Sequence, residues 1–488
     1  MGLKQLIKEG FFDGTVETLK QYKCPEWFRN AKFGIWSHWG PQSVPMYGDW
    51  YARNMYLEGS DQYLFHFRKY GHPSQFGYKD IISLWKAENF NPEELMELYV
   101  RAGAKYFVAQ AMHHDNFDNF DSEFNPWNST KIGPKKDICM MWKKAAKKYN
   151  LPFGVTEHLA ASYTWLTASH GCDKEGAYKG IPYDGANKEF ESLYRDNDSE
   201  LFSFNPKAEN WYTKNEKYHK DWFNRIKDAI DKLQPDLLYS DGELPFEDYG
   251  LAIVAHLYNS SMERNNGKNE AVYNFKQHDI TNVTEHVTEI GVLDIERGIS
   301  DDISEKSWQD DTSIGDWFYN VRDRYKTTAD ILDTLIDVVS KNGNLLMNVT
   351  QRPDGSIDDE TRYTLESIAV WMKDNAQGIF NTRPFEKAGE GVHKLSAGAF
   401  QENSATWDSK DFRFTRSGSQ IFAFQMRNDD GKQARITSLG RLYLKTVISV
   451  MVLGQEVCYS QKDGALLVEM PSNPHKGLPI CITVQLED

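Results

Sequence analysis

Eight short apolar or β-branched runs recur along the first three quarters of the chain, at residues 32–38, 105–112, 153–158, 237–241, 271–275, 291–296, 307–314 and 343–349. Longer stretches lie between them, at 92–102, 138–149, 218–233 and 329–340, with apolar residues near the 3, 4, 7 spacing of an amphipathic helix. Strand-length runs alternating with such helices predict βα units around a parallel sheet. Eight of them predict an α/β fold, a (β/α)8-like TIM barrel with long loops. After residue 385 the helical period stops. Alternating runs at 412–415, 420–426, 446–453, 465–470 and 480–486 are separated by turn residues such as Asn428-Asp429-Asp430-Gly431 and Lys462-Asp463-Gly464. They predict a C-terminal antiparallel β-sandwich of roughly 100 residues. The chain therefore divides into a barrel domain, 1–384, and a β-sandwich domain, 385–488.

Length agrees, because 488 residues exceed what one core serves unless a barrel carries insertions. The formal net charge of −15 and the absence of a basic block exclude a nucleic-acid partner, whose phosphates need clustered Lys and Arg. The chain holds 14 Trp, 25 Tyr and 27 Phe. Flat rings beside carboxylates suit sugars, whose C–H faces stack while their hydroxyls seek polar groups. The cysteines (Cys24, Cys139, Cys172, Cys458, Cys481) are odd in number and lack metal spacing, so neither a disulfide framework nor a zinc knuckle is expected. No apolar run is long enough to span a membrane. Met1-Gly2-Leu3-Lys4-Gln5 opens no secretory leader. A cytoplasmic chain is expected, or a periplasmic or secreted one if a leader has been removed; the oligomeric state is left open.

A barrel enzyme collects its reactive side chains where the strands end. The predicted strands end in His38-Trp39-Gly40, His113-His114-Asp115, Glu157-His158, Asp241, Glu296-Arg297 and Asp310-Asp311. Singly, such an Asp caps a helix and such a His satisfies a core, but six at one rim point to a site. Asp241 is the sharpest: the apolar run Leu237-Leu238-Tyr239 delivers a carboxylate just before Gly242. A metal-dependent hydrolase is the rival chemistry. Adjacent histidines point different ways along a strand, however, and no His-Glu-x-x-His pair accompanies them. No metal and no other cofactor is expected.

Several ordered motifs resemble glycoside hydrolase family 29, the α-L-fucosidases. They are the run from Trp27-Phe28-Arg29 through Phe33-Gly34-Ile35-Trp36-Ser37-His38-Trp39-Gly40, then Asp49-Trp50-Tyr51, Gly103-Ala104-Lys105-Tyr106, His113-His114-Asp115, Trp127-Asn128-Ser129, Asn342-Gly343-Asn344-Leu345-Leu346-Met347-Asn348 and Arg352-Pro353-Asp354-Gly355. The resemblance spans about residues 20–385.

It implies a retaining exo-glycosidase acting on a fucosylated glycan, with Asp241 in the nucleophile's position. His38, Trp50, His113 and His114 match sugar-binding residues, and Asp49, Glu157, His158, Arg297 and Trp308 are further substrate-binding candidates. The chain departs from the family in having Gly48-Asp49 where Ser-Glu is common, and Gln309 where many members carry a Glu. Gln cannot deliver a proton. Glu296 is therefore the first candidate acid/base, since partial burial would keep its carboxyl protonated between turnovers; Asp310, Asp311 and Glu157 stand in reserve. The alternatives are a related α-L-glycosidase, acting on α-L-galactosides or modified fucosides, and a non-catalytic fucose-binding homologue.

Overall fold

The computed structural model describes residues 3–198, 200, 202, 211–276, 289–428 and 433–487. Eight parallel strands close on themselves in chain order: β1 (Phe33–Ser37), β2 (Tyr106–Met112), β3 (Phe153–Glu157), β4 (Leu237–Ser240), β5 (Val272–Lys276), β6 (Val292–Glu296), β7 (Trp308–Ser313) and β8 (Gly343–Asn348). β8 returns to β1 with Leu345 opposite Phe33, so no edge is left open. Each strand lies where the alternation of the sequence placed it, within two residues at either end. The α/β barrel expected from the sequence is the observed fold.

The helices begin at the sequence's own caps. Asn91 accepts from the Glu94 N–H ahead of Pro92–Arg101, Asp137 from Met140 N–H ahead of Ile138–Lys148, and Asn215 from Lys217 and Tyr218 N–H ahead of Glu216–Leu233. Thr327 and Asp330 form a reciprocal box at the start of Thr328–Ser340. Inside the barrel Trp36, Tyr106, Val108, Leu237, Tyr239, Val272, Val292 and Leu346 pack as one buried cluster. They fill the barrel up to Trp36, which reaches the cavity, and polar side chains take most of the remaining top.

The C-terminal part is two antiparallel sheets. β9 (Arg383–Glu390), β10 (Phe412–Ser417), β11 (Gln420–Gln425), β13 (Val447–Val452), β14 (Gln455–Glu456) and β17 (Ile480–Leu486) form one, in the order β14-β13-β17-β11-β10-β9. β12 (Ala434–Ile436), β15 (Tyr459–Lys462) and β16 (Ala465–Val468) form the other, and both contribute to a shared apolar core that includes Phe412, Val450, Ile436 and Leu466. β9, β12, β14 and β15 have no counterpart among the alternating runs, being short or polar; the predicted turn at Asp429-Asp430-Gly431 lies outside the described residues. The large sheet is fixed to the barrel. Trp371 stacks on Phe424 with centroids 6.2 Å apart and donates from Nε1 to the Pro479 carbonyl, 2.7 Å, while Arg413 and Arg427 bind Asp337 and Asp333 of the Thr328–Ser340 helix. Among the described residues no helix is long and apolar enough to cross a membrane.

Candidate active site

A cavity of about 440 Å³ opens at the C-terminal ends of the strands, the face on which barrel enzymes place their chemistry. Its walls carry His38, Asp49, Trp50, His113, His114, His158, Asp241, Glu296 and Asp311, together with Lys276 and the rings of Trp36, Trp211, Trp317 and Phe400.

Strand alternation decides which side chains arrive there. β6 and β7 run in register with Asp294 beside Gln309 and Glu296 beside Asp311. Residues two apart share a face, so these four point inward as two layers. In the lower one Gln309 donates to Asp294, 2.5 Å, and accepts from Tyr106 Oη, 2.8 Å. In the upper one Glu296 and Asp311 reach the cavity. Asp310 points outward, accepting from the Gly298 N–H at 3.3 Å, which removes it as a proton donor to a ligand here.

Asp241 follows the last residue of β4, where its N–H donates to the Glu157 carbonyl, 3.0 Å. Gly242 comes next with φ of +130°, and a Cβ there would lie 2.2 Å from Tyr212 Oη. Only glycine fits this turn. Asp241 Oδ1 accepts from Lys276 Nζ at 2.7 Å, and Oδ2 lies 3.2 Å from His114 Nε2. Lys276 ends β5, hydrogen-bonds Glu296 as well, and stands 3.9 Å from Asp311 Oδ2. One ammonium is thus shared by three carboxyl groups. Tyr239 Oη also donates to Asp311, 3.1 Å.

Two carboxyls in contact with the same cation are pushed in opposite directions. Burial alone would raise Asp241, but the Lys276 ammonium, His158 and the hydrogen bond from His114 outweigh it and hold its carboxyl well below the usual range. For Glu296 burial wins over Lys276, and the negative charges of Asp311 and Asp241 add to it, so the carboxyl is pushed up to about 7. Lys276 loses by burial and gains more from Asp241, Asp311 and Glu296, so it stays charged well above its usual value.

Three of the imidazoles are kept neutral by burial. Burial lowers His38 and His113 far below the usual value and His158 to about 3. Gln42 is oriented by accepting from the Ala52 N–H, 3.1 Å, so its amide donates to His113 Nδ1, 2.9 Å, and the neutral ring carries its proton on Nε2. Both ring nitrogens of His38 and the Nδ1 atoms of His114 and His158 are buried without a hydrogen-bond partner among the described residues. Leaving such groups unpaired costs about 1–3 kcal/mol each, a cost that a polyhydroxylated ligand would relieve. His38, His113 and His158 also bring ring nitrogens within 4.8 Å of one another, a donor set that could hold a zinc-like ion. The expectation that adjacent histidines diverge does not hold: β2 ends at Met112 after a bulge, and His113 and His114 beyond it both face the cavity.

Asp49 is pushed well above the usual range by burial and by Asp316, and it accepts from the Trp50 N–H at 2.7 Å. Besides Asp310, three sequence candidates do not line the cavity. Trp308 is the first residue of β7, at the far end of the barrel, and donates from Nε1 to the Lys341 carbonyl, 2.9 Å. Glu157 sits behind the wall, accepting from Leu159 N–H and Trp222 Nε1, and burial pushes it up to about 7. Arg297 turns away, its guanidinium 4.7 Å from the Trp317 ring centroid and bonded to the Gly315 carbonyl at 2.8 Å. Lys276 was missed, although a lysine closing a predicted strand obeys the same rule that found Asp241.

The sequence pattern of the alpha-L-fucosidase family matches residues 3–377. The chain belongs to the α-L-fucosidase family of glycoside hydrolases. It is 26% identical over 474 residues to the tissue alpha-L-fucosidase of Macaca fascicularis, covering 95% of this chain and 88% of that one. Over 384 residues it is 28% identical to the tissue alpha-L-fucosidase of Rattus norvegicus, covering 76% and 73%. A Thermotoga maritima alpha-fucosidase in complex with fucose shares the fold, with a TM-score of 0.70 at 24% identity over 96% of this chain and 99% of that one. The family resemblance read from the motifs holds, and with it the assignment as a glycoside hydrolase.

Proposed function

We propose that this α-L-fucosidase is exo-acting and retaining, removing terminal α-L-fucose from a glycan by two successive displacements. The observation that carries this is the pair Asp241 and Glu296 around one Lys276 ammonium, one carboxyl held ionised and the other pushed up to about 7. Groups with opposed environments are what acid/base assignments rest on. Two oxygens that accept from one nitrogen are separated by at most two hydrogen-bond lengths, roughly 5–6 Å. That bound agrees with the spacing of about 5–5.5 Å of retaining glycosidases and falls below the 6.5–9.5 Å that leaves room for water in inverting ones.

In this scheme an Asp241 oxygen attacks the anomeric carbon while Glu296 gives its proton to the departing glycosidic oxygen, so the C–O bond to the aglycone breaks as the bond to Asp241 forms. Glu296, now ionised, takes a proton from water, whose oxygen attacks the same carbon and releases Asp241. Lys276 stays charged throughout and keeps Asp241 anionic and aligned. The unpaired nitrogens of His38, His114 and His158 are placed to bond ring hydroxyls, and Trp50 can cover an apolar face. The neutral imidazoles of His38 and His158 suit this work, since each supplies one donor and one acceptor.

Proton NMR of the first-formed sugar from an aryl α-L-fucoside tests the scheme. The α anomer is expected, and the β anomer would refute double displacement. An aryl α-L-galactoside in the same panel tests the alternative substrate. It differs by one hydroxyl at C6, which an apolar methyl pocket penalises by about 1–3 kcal/mol.

A further inference from the structure

One wall of the cavity comes from outside the barrel. Phe400 lies 23 residues beyond the end of the family match at 377, on the segment between β9 and β10, yet its ring lines the same cavity as Asp241 and Glu296. The residue is 60% exposed, and its backbone sits at φ +56°. A bulky residue pays for that left-handed conformation, which persists only where the surroundings impose it.

They do impose it. The Phe400 N–H donates to the carbonyl of Glu296, 2.8 Å, and two residues earlier the Gly398 N–H donates to the carbonyl of Ile299, 2.9 Å. A Cβ on Gly298 would come within 2.0 Å of the Gly398 carbonyl, so the two backbones touch only because position 298 is glycine. On the other side Glu402 accepts from Thr312 Oγ1 at 2.8 Å and pairs with Lys326 at 3.1 Å and Arg297 at 3.4 Å. The segment is held at both ends, and an exposed ring is fixed on the backbone of the proton donor.

We infer that Phe400 is the platform of the leaving-group subsite, the surface on which the group attached to fucose lies during proton transfer. The inference rests on Glu296 being the acid/base. A proton donor must face the glycosidic oxygen, so a ring anchored to its backbone at the cavity rim faces what that oxygen carries. An uncharged ring with an open face takes an aglycone with a flat apolar face: the C–H face of a second pyranose, or an aryl group.

The test compares wild type with Phe400→Leu and Phe400→Tyr on a fucosyl disaccharide and on α-L-fucosyl fluoride, whose leaving group has no face to stack. The ratio of kcat/KM for the disaccharide to that for the fluoride is expected to fall about tenfold in Phe400→Leu, the scale of one aromatic contact, and to return to within about twofold of wild type in Phe400→Tyr. Melting temperatures identify any loss of folding, which lowers both substrates and cancels in the ratio. A ratio unchanged by Leu, or lowered equally by Leu and Tyr, overturns the inference. Failure of the underlying scheme looks different: Glu296→Ala would then slow the disaccharide and the fluoride equally, whatever residue stands at 400.

Discussion

Replacing Lys276 by Met tests how Asp241, the proposed nucleophile, is kept ionised. The ammonium lies 2.7 Å from Asp241 Oδ1 and is buried, with 5% of its side chain accessible. Removing one partner of a buried ion pair costs about 3–5 kcal/mol, and the carboxylate left behind relieves that cost by taking a proton. At 1.36 kcal/mol per pK unit the Asp241 carboxyl should rise by roughly 2–4 units. It starts well below 3.8, and without the ammonium its titration should move up toward the accessible range. The direction follows from protonation: a nucleophile must be anionic, so activity falls as pH drops through its pKa. The assay is kcat/KM between pH 4 and 9 on an aryl fucoside with an acidic phenol, where the proton donor matters least. Lys276→Met should show an acid limb absent from wild type, with about a tenth of plateau activity one unit below it, whereas Lys276→Arg should keep the low limb. An acid limb in Lys276→Met that coincides with wild type would show that His114 and His158 alone hold Asp241 ionised, and the role given to Lys276 would fail.

Glu296→Ala should slow a fucosyl disaccharide far more than the activated aryl fucoside, because protonation matters most for a poor leaving group. In wild type the disaccharide rate should fall as pH rises through about 7, where Glu296 loses its proton, and that limb should vanish in the variant on the activated substrate; equal slowing of both substrates would reassign the proton donor. Asp241→Ala should lower activity by several powers of ten with little change in melting temperature, and azide should then yield β-fucosyl azide, detectable by NMR; more than a tenth of wild-type activity would exclude Asp241. Prolonged EDTA treatment should leave kcat/KM unchanged, whereas loss restored by zinc would assign a metal to His38, His113 and His158.

The barrel was legible because alternation and length are local properties: each of the eight runs is flanked by its own turn residues, and the helices carry their own caps. The small strands β12, β14 and β15 were not, since two to four residues give no period to read. At the site, the rim rule found Asp241, Glu296 and the histidines. It overreached at Asp310, which differs from Asp311 only in the face it takes; Trp308, a candidate outside that rule, opens β7 where Ser313 closes it. Chain order cannot show which of two neighbouring carboxyls turns inward until the register with β6 is known. Phe400 was out of reach altogether, because its placement depends on a backbone contact between residues 298 and 398, a hundred positions apart.

The sharing of one ammonium among Asp241, Glu296 and Asp311 also sets what charge a ligand can bring. Among the described residues Lys276 is the single lysine or arginine lining the cavity, against Asp49, Asp241, Glu296 and Asp311, and burial keeps His38, His113 and His158 neutral. A sulfate on the fucose ring would enter a space where its charge meets the ionised Asp241 in a low dielectric, and among the described residues no arginine lines the wall to receive it. A ring whose oxygen is replaced by a protonated nitrogen meets the opposite situation. Inhibition constants should therefore favour a fucose-shaped iminosugar over fucose itself, and the margin should shrink as pH rises through the amine's own pKa. Equal affinities across that range would mean that Lys276 already neutralises the field a ligand feels.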